Sequence, residues 1–280
     1  MHFHQFETED GQFLNIFTFN LTLVKYIISF FLKKIPRKQL QLISHYVLKI
    51  LAVFYMGNQV TCPVCLHSFR KFLPYGRIGR TNALCPNCLS LERHRLLWLF
   101  LKDKTDFFTA PTKMLHVAPE LCFIKRFESL PQLEYLTADI ESPLANIKMD
   151  IHDIPFPENT FDIIFCNHVL EHVQDDKKAM SEMLRVLKPG GWAILQIPIF
   201  KPLIAKTIED PTLEDPKKRA ELFGQDDHVR MYGKDYANRI RSTGFKVIEE
   251  NFIGELEPDL VKKYALSEGE IIHRAIKPSQ

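Results

Sequence analysis

The sequence predicts an α/β protein: a seven-stranded, mostly parallel sheet with helices on both faces, preceded by a small cysteine-bearing module. Two observations carry this. From Lys113 onward, short apolar runs of strand character alternate with stretches of helical period, the pattern of parallel strands joined by crossover helices. Ahead of that region, two Cys-x-x-Cys pairs stand in a chain that has no repeats and no low-complexity tract.

The elements read in order as follows. Residues 1–58 form a basic, amphipathic helical segment. Its most apolar stretch, 13–32, is broken by Asn15, Asn20 and Lys25, so it falls short of a membrane span. Leu40, Ile43, Val47, Ile50, Leu51 and Phe54 then recur at helical spacing, interleaved with lysines and arginines. Such a stripe docks on its own domain or a partner, or lies on a membrane surface. Residues 59–90 hold the four paired cysteines, and 91–111 contain a linking helix, Leu91 to Lys104, with Ser90 as its N-cap. The α/β domain occupies 112–280. Its expected strands are 113–117, 133–138, 147–151, 161–166, 193–197, 245–251 and 271–276, with helices at 120–128, 176–187 and 234–243. Asp175 caps the second of these helices, and the Pro189-Gly190-Gly191 turn ends it. An insertion at about 199–232 reads as an irregular lid.

Composition bounds the function classes. At 280 residues, 46% hydrophobic and 25% charged, the chain is an ordinary globular protein rather than a disordered or membrane-embedded one. The net charge of +2 is uneven. Residues 1–105 carry 14 Lys/Arg against 5 Asp/Glu, and the remainder 22 against 29. A basic front end suits an anionic partner (RNA, a phospholipid surface or a phosphorylated substrate), the alternative being a solvated positive face. The acidic N-terminus (Glu7, Glu9, Asp10) does not read as a secretory signal. The expected location is cytoplasmic, with peripheral membrane association left open and no transmembrane helix.

Cys62, Cys65, Cys85 and Cys88 form two pairs separated by nineteen residues, a spacing that fits a zinc-ribbon-like site. Four thiolates close a tetrahedron around Zn2+ and leave no position for a substrate, so the ion is structural. A short module of this kind takes its folding free energy from the metal. With four sulfurs sufficient, His67 and His94 read as surface histidines.

Residues 150–198 read DIHDIPFPENTFDIIFCNHVLEHVQDDKKAMSEMLRVLKPGGWAILQIP. This run resembles the class I methyltransferases of the type 11 group, which includes ubiquinone- and glycolipid-type enzymes. The resemblance implies a Rossmann-like fold and S-adenosylmethionine as cofactor, bound beyond the carboxyl ends of the strands. It places Asp139, 23 residues past His116, at the ribose hydroxyls, and Asp150 and Ile151 at the adenine. Asn167 closes the site from the fourth strand. The family's first strand ends in an acid followed by a D-x-G-x-G-x-G loop, and here the chain departs from it. His116 replaces the acid, and Ala118, Glu120 and Cys122 stand where the glycines belong. Ala118 is small, Pro119 opens the next helix with its positive end toward the cofactor carboxylate, and Glu120 either opposes that carboxylate or receives the ammonium.

Methyl transfer needs a base only if the acceptor must lose a proton. His168 and then His172, just past the fourth strand, are the candidates. In the insertion, His228, Arg230 and Tyr232 of the string DDHVRMYG are candidates for acceptor binding, with Arg230 as a bidentate anion clamp. The acceptor itself reads as a small molecule, lipid or glycan precursor. A zinc module ahead of this fold also resembles ribosomal RNA guanine methyltransferases. A third reading is a non-catalytic, zinc-containing binding protein with a degenerate fold.

Overall fold

The computed structural model describes residues 52–76, 79–200 and 202–279. The amphipathic segment expected over 1–58 lies outside the described residues as far as position 51. The described residues form one compact unit.

Seven strands make the main sheet: β5 (Thr112–Val117), β6 (Leu133–Asp139), β7 (Ile147–Lys148), β8 (Phe161–Asn167), β9 (Leu187–Gln196), β12 (Lys246–Glu250) and β13 (Ile272–Ile276), in the order β12-β13-β9-β8-β5-β6-β7. The pairs from β7 through β9 are parallel, whereas β13 runs antiparallel to both neighbours. The fold is therefore the α/β, Rossmann-like, seven-stranded and mostly parallel one that the sequence predicts. The central strands β5 and β8 are buried almost throughout, as strands covered on both faces must be.

Alternate side chains of β5 go to opposite faces. Met114 joins one hydrophobic cluster and Leu115 and Val117 the other. Helices α1 (Glu92–Lys104) and α2 (Leu121–Glu128) contribute to the first cluster, and α3 (Asp176–Val186) and α5 (Tyr236–Arg241) to the second. The Asp175 carboxylate caps α3 by accepting from the Lys178 N–H at 2.9 Å.

Helix α1 is no mere link. Leu96, Leu97, Phe100 and Leu101 pack in the same cluster as Phe165 and Ile194 of the sheet. That cluster continues into the module through Cys62, Val64, Phe69 and Phe72. The module begins at β1 (Met56–Thr61), which pairs with β2 (Ser68–Phe69), so its edge lies three residues before the expected 59. Strands β3 (Leu73–Tyr75) and β4 (Arg80–Leu84) complete it.

The structure corrects four local expectations. Ser90 does not cap α1; Leu91 occupies that position, and the Ser90 hydroxyl lies against Cys62 Sγ at 3.1 Å. Pro189-Gly190-Gly191 is not a turn but part of β9, which starts where α3 stops. Gly190 takes φ +80° there, and a Cβ on Gly191 would come within 2.8 Å of Asp162 O, so the pair lets two strands meet closely. The third sheet strand ends at Lys148, leaving Asp150 and Ile151 beyond it. The insertion, finally, has regular structure. Strands β10 (Ile208–Glu209) and β11 (Arg230–Met231) pair, and α4 (Pro216–Phe223) lies between them, begun by Asp215 and ended by Gly224 at φ 85°.

Among the described residues no helix is long and apolar enough to cross a membrane.

Candidate functional site

From β5 the chain proceeds outward to β6 and β7, then returns to the other side of β5 as β8. This reversal makes β5/β8 the topological switch point, beyond whose carboxyl ends sheets of this kind place their ligand crevice. The residue after each strand is forced into left-handed backbone conformation: Ala118 at φ 49° and His168 at φ 55°. Neither is glycine, so each holds about 1–2 kcal/mol of strain. Backbone bonds fix both, from Ala118 N–H to Ala138 O and from His168 N–H to Gln196 O, each 2.8 Å.

A buried polar chain fills the floor of this crevice. His116, fully buried, bonds Tyr135 Oη through Nδ1 at 2.8 Å and Glu120 Oε2 through Nε2. The Asn167 amide donates to Glu120 Oε1 at 3.1 Å. His94, at the start of α1, accepts the Leu91 N–H on Nδ1 at 3.1 Å, which leaves the proton on Nε2, 3.6 Å from Glu120 Oε1. Burial by itself would raise the Glu120 pKa. The His116 imidazole and the His94 and Asn167 contacts outweigh it and hold the carboxyl down at about 2. His94 is thus a buried member of this chain and not the surface histidine its sequence position suggests.

Two buried atoms here have no hydrogen-bond partner: the Asn167 Oδ1 acceptor and the His94 Nε2 donor. Orphaned donors and acceptors in one crevice fit a ligand that carries both kinds of group. Helix α2 starts after Glu120, so Pro119 precedes the helix rather than opening it.

Asp139 ends β6. Its Oδ1 accepts the N–H groups of Glu141 and Ser142, each at 2.7 Å, which closes the loop beyond the strand. Asp150 is exposed, and its Oδ1 accepts from His152 N–H at 2.9 Å and Nδ1 at 2.7 Å. The His152 backbone N–H and imidazole hold its carboxyl below the usual range. Ile151 is buried in the second cluster with Val117 and Ala138. Asp139 and the loop of Asp150 are joined by a bond from Met149 N–H to Asp139 O at 3.0 Å.

Beyond β8 lies a second group. His168 Nδ1 is 3.5 Å from Glu171 Oε1, and the His172 Nε2 is 4.0 Å from the same oxygen. Glu171 is 1% exposed, and burial would raise its pKa; the two imidazoles hold it lowered instead. A bond from Val229 N–H to Glu171 O at 2.9 Å brings the insertion against this loop. His228 thereby stacks edge-on against His172, ring centroids 4.7 Å apart.

Arg230 and Tyr232 are not at the crevice, which corrects their expected role. Arg230 is 1% exposed and spends its guanidinium on the carbonyls of Leu170, Val173 and Gln174 and on Glu209. The Tyr232 hydroxyl donates to Asp176 Oδ2 at 2.7 Å inside the second core. Both are buried and hold the insertion down.

The four module cysteines come together as the sequence predicts. One ligand atom from each lies within 4.8 Å of the others, with Cys62–Cys88 sulfurs at 3.5 Å and Cys65–Cys85 sulfurs at 3.7 Å. The two pairs form matching knuckles. Cys62 N–H bonds His67 O as Cys85 N–H bonds Ser90 O, and Leu66 and Leu89 follow at φ 63° and 64°. None of the six cysteines is in a disulfide. Arg95 lies fully buried beside them. Burial lowers its pKa, while the Cys62, Cys85 and Cys88 sulfurs and Glu92 act to raise it.

A family model described as a methyltransferase domain matches residues 114–195. The matched span runs from β5 to the end of β9 and so contains the switch point, Asp139, Asp150 and Asn167. A ubiquinone/menaquinone biosynthesis C-methyltransferase of Vibrio campbellii is 30% identical over 135 residues, 47% of this chain and 51% of that protein. A sterol 24-C-methyltransferase of Kluyveromyces lactis is 27% identical over 132 residues, 47% of this chain and 34% of its own. The chain thus spans about half the length, or less, of these relatives. Among solved structures, an S-adenosylmethionine-dependent methyltransferase of Mesorhizobium loti superposes with a TM-score of 0.43 at 14% identity, over 65% of this chain and 97% of that one.

Sequence reasoning missed three residues around the switch point. His94 and Glu171 are named above. Glu270 is the third, bonded by Gln196 Nε2 at 3.2 Å, its carboxyl pushed up by burial. Glu171 had a visible signal, since it sits between the two histidines already singled out.

Proposed function

We propose that this chain is an S-adenosylmethionine-dependent methyltransferase with a small-molecule, lipid or glycan-type acceptor, and that its four-cysteine cluster holds a structural Zn2+. One observation carries the enzymatic reading: the matched domain puts its strand ends around a crevice in which a buried acceptor and a buried donor lack partners. The names of the relatives, a quinone-pathway and a sterol methyltransferase, support an apolar acceptor.

When bound, the cofactor supplies an already activated methyl group on a sulfonium. Asp139 would hold the ribose hydroxyls, and Asp150 and Ile151 the adenine. Glu120 and Asn167 offer oxygens to the ammonium, and His94 Nε2 a proton to the carboxylate. The fixed backbone at Ala118 and His168 keeps these groups in place, and positioning is where such catalysis gains most. Where the acceptor must lose a proton, His168 takes it. Its Nε2 is buried without a partner, and its Nδ1 lies 3.5 Å from the Glu171 carboxylate, which orients the ring. His172, half-exposed, is the second candidate.

The zinc reading rests on the donor set. Four thiolates packed this closely repel one another unless a cation lies among them.

Calorimetric titration with S-adenosylmethionine tests the enzymatic reading. Binding is expected in wild type, and Asp139→Asn, which keeps an Oδ1 acceptor for the loop but removes the charge, is expected to weaken it by about tenfold. No heat from wild type at high micromolar cofactor would leave a non-catalytic binding protein.

A further inference from the structure

Outside the cysteine cluster, one more group of side chains among the described residues can hold a metal: Glu171, His172 and His228, with one ligand atom from each within 4.8 Å of the other two. Its atoms show the marks of a site built for an ion. Glu171 Oε2 and His228 Nε2 belong to residues 1% and 0% exposed, and neither atom has a hydrogen-bond partner. A buried, unbonded carboxylate oxygen next to a buried, unbonded ring nitrogen is costly. A cation shared between them removes both deficits at once.

The second ring nitrogens are arranged accordingly. His228 Nδ1 lies 3.1 Å from Phe223 O, a carbonyl that can only accept, so Nδ1 carries the proton and Nε2 keeps its lone pair. His172 Nδ1 lies 3.3 Å from Asp227 O and 3.6 Å from Asp227 Oδ2, which leaves its Nε2 on the side of Glu171. An outward N–H to an oxygen and an inward free nitrogen is how metal-bound histidines are held. Burial also lowers the His228 pKa, which keeps that imidazole neutral.

We propose that Glu171, His172 and His228 form a divalent transition-metal site beside the methyltransferase crevice, with two imidazole nitrogens, one carboxylate oxygen and positions left open. Such a donor set suits Zn2+, Fe2+, Mn2+ or Co2+ rather than Ca2+. Bonds of about 2.0–2.2 Å require donors closer than the present spacing. Half-exposed His172 is the residue free to move in. His168 lies beside the group, its Nδ1 3.5 Å from Glu171 Oε1 and its Nε2 also buried and unpartnered. An acceptor hydroxyl or enediol oxygen bound there would lose its proton more readily. The proposal concerns binding and does not depend on the methyltransferase reading.

The test uses the full chain, purified with its cysteine cluster loaded with Zn2+. Metal content is measured by plasma mass spectrometry after dialysis against micromolar Zn2+, and a parallel sample of zinc-loaded protein is titrated with Co2+. Two metal equivalents per chain are expected in wild type. Glu171→Gln, His172→Ala and His228→Ala should each drop to one, with at least 100-fold weaker Co2+ binding. The bound Co2+ should show visible d–d bands without the sulfur charge-transfer band that a thiolate site produces. Because His172 is half-exposed, its variant is expected to keep the wild-type circular dichroism spectrum and Tm even if the two buried variants do not. A single equivalent in wild type at millimolar Zn2+ and Co2+, or a second equivalent that survives His172→Ala and Glu171→Gln, overturns the site.

Discussion

Arg95 is where the module is tied to the rest of the molecule, and Arg95→Met should show how much that tie contributes. The side chain is fully buried. It donates to Ala83 O at 2.8 Å and Ser90 O at 3.0 Å in the module, and to Tyr264 O at 2.7 Å and Ala265 O at 2.6 Å near the C-terminus. Its guanidinium also lies over Phe72, 4.4 Å from the ring centroid. Each bond from a charged donor is worth about 1.5–3 kcal/mol. Removing the group also removes its desolvation penalty, so the net loss is about 3–5 kcal/mol, as for a broken buried ion pair. For a chain of this size that lowers Tm by roughly 6–20 °C. Urea and thermal unfolding followed by circular dichroism measure it, with Arg95→Lys expected in between because an ammonium cannot reach four carbonyls on two sides. If Arg95→Met lies within about 1 kcal/mol of wild type, the guanidinium is not what joins these parts.

Three further outcomes follow. Glu120 has its folded pKa depressed from 4.5 to about 2, so its contribution is full above pH 4.5 and is lost as the pH falls toward 2. The stability gap between wild type and Glu120→Gln, about 3 kcal/mol at pH 6, should narrow through that window in pH-dependent urea melts; a constant gap would contradict it. At Ala118, φ 49° favours glycine, so Ala118→Gly should be neutral or stabilising by up to about 1 kcal/mol, whereas Ala118→Val should lose about 2 kcal/mol or more. Equal melting of the two variants would deny the strain. Stripping Zn2+ with a strong chelator, or Cys65→Ser, should remove on the order of 10 kcal/mol from the module, read as loss of the Trp98 near-ultraviolet signal from the cluster that Cys62 and Cys65 share with Trp98. An unchanged signal in chelated protein counts against a structural ion.

How legible was this in the sequence? The sheet was, because its strands are short, apolar and punctuated, and because burial on both faces leaves a continuous signature in β5 and β8. The cysteine cluster was legible from spacing alone. The insertion was misread although its helix carried ordinary start and stop signals, Asp215, Pro216 and Gly224. Arg230 and Tyr232 were misplaced for a different reason. A sequence does not say whether an arginine faces outward to a ligand or inward to carbonyls of residues 170–174, some sixty positions away. His94 was lost in the same way, since Glu120, 3.6 Å from its Nε2, arrives from a separate helix start. Pairings over long sequence distance are written in packing, and packing has no local period.

The hydrophobic cluster that joins Val60 and Cys62 to Phe165 and Ile194 makes the front module one wall of the α/β half. A gene fragment starting at residue 112 would therefore encode a sheet that keeps α2 on this face but loses α1, its Phe123 and Phe127 left without the Trp98 ring that stacks on them. To stand alone, the α/β half would need new side chains on that face to refill the contacts that α1 and the cysteine module now supply.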